Sequence, residues 1–130
     1  MTSPNASSSS TVDPRVAAAL ATGGIIDIST TGRRSGQPHR IEIAFFNVGG
    51  RIFISGMPGP RDWYANLLRD PGLVLHLKDT AQADLPARAR PVVEAGERRA
   101  VLEQVLAGIG RQGELDRWMR ESPLVEVELT

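Results

Sequence analysis

Residues 30–40 read TTGRRSGQPHR, and residues 41–45 continue with the alternating run IEIAF. Gly32 and Gly36 supply the backbone freedom that a tight turn requires, and Pro38 restricts the chain as it leaves the turn. The alternation that follows puts every second residue on the same face, which is the pattern of a β-strand. The stretch therefore predicts the end of one strand, a glycine-rich turn and a return strand, from which an antiparallel sheet can be built.

Positive charge is concentrated in this turn. Arg33 and Arg34 lie between the two glycines, His39 and Arg40 follow, and residues 30–40 contain no acidic residue. The chain as a whole has 15 Lys+Arg and 15 Asp+Glu, so its formal net charge is zero. Forked guanidiniums and exposed backbone N–H groups suit phosphate or carboxylate. The turn is therefore either an anion-binding site or a solvated hairpin tip whose arginines only aid solubility.

The composition limits the size and function of the protein. Its 130 residues, 41% of them hydrophobic, suffice for one domain with a buried core. The balance of charges argues against a nucleic-acid binder, which needs a basic excess. The absence of cysteine excludes disulfides and thiolate chemistry, and it agrees with a cytoplasmic protein. No apolar run reaches the length of a membrane span, so we expect no integral membrane segment.

The rest of the chain predicts one domain over residues 12–130 and a disordered tail over residues 1–11. The tail is rich in Ser, Thr and Asn and lacks the charged and apolar regions of a secretory signal. Further strands are predicted at residues 25–30, 51–55, 73–78, 88–93 and 124–129. Helices are predicted after Asp13-Pro14, over residues 61–69 and 97–107, and around Trp118. A polar connection is predicted over residues 79–86, and the strand that contains Pro91 is expected at the edge of the sheet. This order indicates a mainly β (α+β) fold, a barrel of about six mostly antiparallel strands with two or three helices packed on it.

Several common catalytic sites are excluded because their motifs are missing. His39 and His76 are the only histidines, and neither has carboxylates at metal-ligand spacing, so we expect no metal site. No Gly-x-Ser-x-Gly elbow occurs, and Ser35 lies in a basic hairpin, which argues against a serine nucleophile. The P-loop is also missing, and the chain lacks the strand–helix alternation of a doubly wound dinucleotide-binding fold.

A second stretch offers a place for a flat ligand. Residues 54–57 read ISGM, and residues 61–67 read RDWYANL. A strand that ends in Ser-Gly lets a ligand approach the backbone closely, and the start of a helix attracts an anion. Trp63 and Tyr64 then either form a wall for this ligand or serve as core residues, in which case Asn66 is a surface residue.

Together the two stretches resemble the deazaflavin-dependent nitroreductase family, which belongs to the split β-barrel flavin/deazaflavin oxidoreductase superfamily. The matching features are TTGRRSGQP, the alternating strand, the Ser-Gly turn and DWYANLLRDP, in the same order from about residue 25 to residue 77. The resemblance implies a split β-barrel that binds coenzyme F420, or alternatively FMN. It also implies a reductase that passes hydride from F420H2 to an electron-poor organic acceptor such as a quinone, an enone or a nitro compound.

The resemblance also implies which residues bind the cofactor. The turn would hold the phosphate and the acidic tail, the return strand and the Ser-Gly segment would line the ring, and the helix start would contact the cofactor again. These residues are Arg33, Arg34, Ser35, Arg40, Ile41, Glu42, Ile43, Ala44, Ile54, Ser55, Gly56, Met57, Asp62, Trp63, Tyr64 and Asn66. No protein nucleophile is needed, and either water or Tyr64 would donate the accompanying proton.

Two alternatives to the F420-dependent reductase stay open. Members of the family that reduce bulky nitro compounds or quinones have tyrosines near the C-terminal helix, whereas this chain has Ile109, Gln112 and Leu115 there and Tyr64 as its only tyrosine. A less aromatic pocket favours a non-catalytic module that binds a flavin, a deazaflavin or a lipid-like ligand. The other alternative is an FMN-dependent relative. The resemblance is also compatible with a homodimer.

Overall fold

The computed structural model of the protein describes residues 13–56, 62–79 and 81–130. Its strands are β1 (Gly24–Thr31), β2 (Pro38–Val48), β3 (Arg51–Ser55), β4 (Gly72–Lys78), β5 (Gln82–Pro91) and β6 (Leu124–Leu129). Its helices are α1 (Pro14–Thr22), α2 (Asp62–Arg69), α3 (Ala95–Ile109) and α4 (Leu115–Glu121), with a short 3₁₀ turn (Gln112–Glu114) before α4. The tail expected at residues 1–11 lies outside the described residues.

The six strands close into a barrel in the order β1-β2-β3-β6-β5-β4. Every neighbouring pair is antiparallel, which confirms the predicted mainly β fold. The helices lie outside this barrel, and α3 and α4 cover one side of it. Within the described ranges, no helix is both long enough and apolar enough to cross a membrane.

The basic turn joins β1 to β2, as the sequence predicts. The two strands pair from Gly24 opposite Phe45 to Thr31 opposite Pro38. The turn is closed by hydrogen bonds from the Gly32 amide to the Gln37 carbonyl at 2.8 Å and from the Gly36 amide to the Gly32 carbonyl at 2.9 Å. Gly36 has a φ of 71°, a conformation that favours glycine. The turn is therefore a fixed hairpin connection at one end of the barrel.

Strand β5 differs from its prediction in both position and neighbours. It begins at Gln82, so the polar connection expected over residues 79–86 is wrong. The expected edge position is also wrong, because β5 pairs with β4 on one side and with β6 on the other. Pro91 is tolerated there because it is the last residue of the strand. The side chains that face the barrel interior are Ala83, Leu85, Ala87 and Ala89. Alanine has a weak preference for strands, and Pro86 also obscures the strand pattern in the sequence.

Two hydrophobic clusters stabilise the fold. The first fills the barrel, and its fully buried members include Ile28, Ile54, Leu75 and Val125. The second lies between the barrel and helices α3 and α4, and it is built from Phe53, Val92, Val101, Leu102, Val105, Leu106, Trp118 and Leu124. Ile109, the last residue of α3, does not belong to this cluster and is 43% exposed. Because the barrel interior is filled by side chains, a ligand must bind at its margin.

Candidate functional site

A cavity of about 430 Å³ lies between the first half of β2 and helix α2, and we call it the β2–α2 cavity. The ends of β1 and β3 and the residue before β6 complete its wall. Apolar side chains and one glycine form most of the surface, and five polar side chains form the rest. The lining residues are Thr30, His39, Ile41, Glu42, Ile43, Gly56, Asp62, Trp63, Asn66 and Pro123.

A second cavity, of about 310 Å³, surrounds the basic turn, and we call it the turn cavity. It is lined by Gly32, Arg33, Arg34, Ser35, His39, Asp62 and Asn66. Three of these residues, His39, Asp62 and Asn66, also line the β2–α2 cavity. The two spaces therefore adjoin, with a cationic region on one side and an apolar region on the other.

Asn66 fixes the basic turn against helix α2. Its side chain is 3% exposed, and its Oδ1 accepts hydrogen bonds from the backbone amide of Arg33 at 3.1 Å and from the Arg33 guanidinium at 3.0 Å. Its Nδ2 donates to the Thr30 hydroxyl at 3.1 Å. Helical spacing puts Asn66 beside the buried Trp63, three residues earlier, so its amide is buried and must find partners within the protein. The interpretation of Asn66 as a surface residue is therefore wrong.

The charges of the turn are only partly neutralised. The Arg33 guanidinium pairs with Asp62 at 3.4 Å. Arg34 is exposed, and no carboxylate in the described part of the chain pairs with it. The Ser35 hydroxyl oxygen accepts a hydrogen bond from the Gln37 amide at 3.1 Å, which leaves its hydrogen available. The turn can therefore offer donors from Arg34 and Ser35 to an anion without breaking these contacts.

The β2–α2 cavity also contains a carboxylate, which a neighbouring cation offsets. Glu42 accepts a hydrogen bond from the Lys78 ammonium at 2.5 Å. Lys78 also bonds Asp27 at 2.6 Å, and Arg40 bonds the same Asp27 at 2.9 Å. The hydrogen bond from Lys78, followed by that from Arg40, holds the pKa of Asp27 below its ordinary value. The same two carboxylates raise the pKa of Lys78, with Asp27 the larger cause.

The wall of the β2–α2 cavity that contains Gly56 and Pro123 is positioned by two buried hydroxyl groups. Ser55, at the end of β3, donates from its hydroxyl to the Pro123 carbonyl at 2.7 Å and contacts the Ser122 hydroxyl. This contact holds Pro123 at the cavity. Gly56 follows Ser55, and among the described residues a Cβ added there would have only the Ile43 methyl within 4 Å, at 3.9 Å. The backbone at Gly56 is therefore open to a close-packed ligand.

The two cavities bring together ten of the sequence-predicted residues. Arg33, Arg34 and Ser35 line the turn cavity, Ile41, Glu42, Ile43, Gly56 and Trp63 line the β2–α2 cavity, and Asp62 and Asn66 line both.

Five other predicted residues do not line either cavity. Arg40 lies on the outer face of β2 and pairs with Asp27. Ile54 is fully buried in the barrel, and Ser55 is buried as well. Ala44 lies further along β2, at a separate groove beside α3. Tyr64 packs against the barrel core, with its ring edge-on to Trp63 at 5.9 Å, and Met57 lies outside the described residues.

Sequence reasoning missed three lining residues, Thr30, His39 and Pro123. His39 had a detectable signal, because strand alternation puts it on the same face as Ile41 and Ile43. Pro123 had none, since its place depends on the pairing of β3 with β6 across the barrel.

A third polar group has the connectivity of a hydrolytic triad. The Ser29 hydroxyl lies 2.8 Å from Nε2 of His76, and Nδ1 of His76 lies 2.6 Å from the Asp84 carboxylate. These residues lie on the outer faces of β1, β4 and β5, and they line none of the cavities described above. Strand pairing occupies the backbone of this region, so it provides no oxyanion hole. We interpret the group as a structural hydrogen-bond network around the buried His76. The described residues also contain no cluster of three or more side chains that could hold a metal ion.

Comparison with solved structures shows the same fold in several proteins. The conserved hypothetical protein Rv2991 from Mycobacterium tuberculosis is 19% identical, with 91% of this chain and 80% of that chain covered and a TM-score of 0.68. The F420-H2 dependent reductase FDR-A is 23% identical, with 81% and 94% covered and a TM-score of 0.61. A domain-swapped dimer is also 23% identical, with 81% and 80% covered and a TM-score of 0.61. At these identities the likeness shows the fold alone.

Comparison with protein families identifies the chain more closely. No curated protein matches it. The family model described as F420H(2)-dependent quinone reductase matches residues 5–125, which is nearly the whole chain and includes both cavities. This match confirms the resemblance to deazaflavin-dependent proteins and the assignment of coenzyme F420. The chain therefore belongs to the F420H(2)-dependent quinone reductase family and is a reductase that uses reduced coenzyme F420.

Proposed function

We propose that this reductase binds F420 across the two adjoining cavities and reduces an electron-poor organic acceptor, such as a quinone, an enone or a nitro compound. The observation that carries the proposal is the junction between a cationic cavity and an apolar one at His39, Asp62 and Asn66. The cofactor combines an anionic tail with a flat ring, so it needs both environments side by side. The volume of about 430 Å³ lies in the range of about 300–1,000 Å³ typical of ligand pockets.

The residues of the turn cavity fit the anionic tail. Arg34 supplies a guanidinium that no described carboxylate neutralises, and Arg33 is held in place by Asn66. Charge-assisted hydrogen bonds of this kind each contribute about 1.5–3 kcal/mol. Because Asn66 and Asp62 restrain Arg33, less side-chain entropy is lost when an anion binds.

The residues of the β2–α2 cavity fit a flat ring. Ile41, Ile43 and Trp63 offer apolar surface, and Gly56 allows close approach to the backbone. When bound, the reduced deazaflavin supplies a hydride to the acceptor. The protein's own part is to orient the ring, exclude water from its face and hold the acceptor against it. No protein nucleophile is required.

Titration of the fluorescence of oxidised F420 tests the binding site. We expect saturable binding by the wild type and a loss of affinity of at least about tenfold in Arg33→Ala/Arg34→Ala, because two charge-assisted contacts are removed. The matched control is Arg99→Ala/Arg117→Ala, which removes two exposed cations from α3 and α4. Equal binding by the wild type and the turn variant would contradict the proposed site.

Steady-state oxidation of F420H2 tests the acceptor. A soluble naphthoquinone, an enone and a nitroarene are compared at saturating cofactor, and we expect turnover with at least one of them. Saturable binding of F420 without turnover on any acceptor would instead favour a non-catalytic binding module. A yellow purified protein with a flavin spectrum would favour the FMN-dependent alternative. The homodimer stays a prediction, to be measured by light scattering over a range of concentrations.

A further inference from the structure

His39 occupies the junction of the two cavities. It pairs with Thr30 in the hairpin register, and strand alternation directs its side chain to the face of Ile41. Its ring lies directly over Gly32, since a Cβ added to Gly32 would fall 2.7 Å from both Cδ2 and Nε2 of the imidazole. Gly32 has no left-handed φ, so it is the missing side chain, and not the backbone conformation, that lets the imidazole lie there. The turn therefore leaves room for the imidazole at this place.

Among the titratable side chains that line the β2–α2 cavity, His39 is the one without a hydrogen bond or ion pair to another described residue. The Glu42 carboxylate is bonded to Lys78, and the Asp62 carboxylate is paired with Arg33. Among the described residues, no group forms a hydrogen bond with the His39 imidazole, and the residue is exposed. Tyr64, the other candidate for proton transfer, does not line the cavity. Imidazole is the side chain best suited to give and regain a proton near neutral pH.

We propose that His39 donates the proton that completes reduction of the acceptor, an inference that rests on the proposed function. A quinone that has accepted a hydride carries one negative oxygen and lacks one proton. The imidazolium N–H bond of His39 breaks, an O–H bond forms on the acceptor, and neutral imidazole remains. Solvent then returns a proton to the ring, which its exposure allows. The charged groups that face His39 across the two cavities are Arg33, Arg34, Asp62 and Glu42.

Turnover of His39→Ala with F420H2 and a soluble naphthoquinone is the first measurement. We expect kcat to fall by about 100-fold, in the range of general acid catalysis. Added imidazole should restore part of kcat in His39→Ala, because the alanine leaves space for it in an open cavity. It should not restore His39→Gln, whose longer side chain occupies that space. The control is His76→Gln, which replaces the other histidine of the chain, on β4, and should keep the wild-type kcat.

Affinity for oxidised F420, measured by fluorescence, is the second readout and does not depend on turnover. We expect a much smaller change in this affinity than in kcat for His39→Ala and His39→Gln, because Arg33 and Arg34 supply the charges that bind the anionic tail. Loss of affinity in both variants without rescue by imidazole would assign His39 to anion binding and overturn the proposal. Unchanged kcat in His39→Ala would also overturn it. If the wild type binds F420 and reduces the quinone, those failures concern His39 alone; if the wild type does neither, the proposed function fails with it.

Discussion

Asn66 Oδ1 accepts hydrogen bonds from both the backbone amide and the guanidinium of Arg33, at 3.1 and 3.0 Å. One buried amide thus fixes the path of the turn and the direction of its first arginine. Because Asn66 belongs to α2, the position of the cationic turn depends on the packing of that helix against the barrel. Fold stability and cofactor affinity are therefore coupled at this residue.

Asn66→Ala should lower both the stability of the fold and the affinity for F420. Removing the amide leaves the Thr30 hydroxyl and the Arg33 amide without their partner, and we expect a loss of about 1–3 kcal/mol in the free energy of unfolding. Affinity for F420 should fall as well, since the turn is no longer held. Urea unfolding and fluorescence titration measure the two effects. Gln104→Ala, an exposed substitution on α3, is the control, and equal stability of Asn66→Ala and the control would contradict the prediction.

Arg33→Ala and Arg34→Ala should differ although the residues are adjacent. Arg33 bonds Asn66 and Asp62, so its removal should lower the melting temperature as well as F420 affinity. Arg34 has no such contact in the described structure, so its removal should lower affinity, by about tenfold, with the melting temperature unchanged. Calorimetry and titration of the two single variants check this. The prediction fails if Arg34→Ala proves the more destabilised of the two.

Glu126 should make the protein sensitive to acid. It bonds Arg51 and Arg90, each at 2.8 Å, and the hydrogen bond from Arg51 is the main reason that its pKa is lowered to about 2 from 4.5. A depressed pKa in the folded state stabilises the protein above pH 4.5, and this contribution is lost as the pH falls from 4.5 towards 2. The difference in unfolding free energy between the wild type and Glu126→Gln should therefore shrink over that interval.

Urea unfolding at several pH values measures this difference. Glu128→Gln is the control, since Glu128 lies two residues further along β6 and is exposed. A gap between the wild type and Glu126→Gln that stays constant from pH 6 to pH 2 would show that the carboxylate charge does not stabilise the fold.

Replacing either of two glycines at the end of α3 with alanine should change the stability of the protein, in opposite directions. Gly108 lies inside the helix with open space around it, so Gly108→Ala should stabilise the protein by about 0.5–1 kcal/mol. Gly110 caps the helix with a φ of 73°, so Gly110→Ala should destabilise it by about 1–2 kcal/mol. Thermal unfolding of both variants checks the signs. Stabilisation by Gly110→Ala would contradict the left-handed cap.

The local features of the fold were predictable from the sequence, and the features that depend on distant pairing were not. The hairpin around Gly32 and Gly36 follows from turn chemistry and strand alternation, and the structure confirms it. Strand β5 was misplaced because Pro86 and a row of alanines hide its alternation, while pairing on both sides fixes it. The barrel closure that brings Pro123 next to Gly56 involves residues far apart in sequence.

The same division between local features and those that depend on distant pairing applies to the candidate site. Arg33, Arg34 and Ser35 share one turn, so their common cavity follows from the sequence. Arg40 is on the opposite face of β2 because it is one residue out of phase with Ile41, and it pairs with Asp27 from a neighbouring strand. The sequence grouped Arg40 with Arg33 and Arg34 because all three lie in or next to the basic turn, but in the structure Arg40 lines neither cavity.

The contact between Gly32 and the His39 ring has a consequence for how relatives of this protein can diverge. Alanine at position 32 would collide with the imidazole, at 2.7 Å, as long as histidine occupies position 39. A smaller residue at 39 would remove that obstacle, after which 32 could gain a side chain with the Ser35 hydroxyl turned aside. Alanine at position 32 beside a retained His39 would displace the imidazole from its place over the turn, so a relative with alanine there should have either another residue at position 39 or a histidine that points elsewhere.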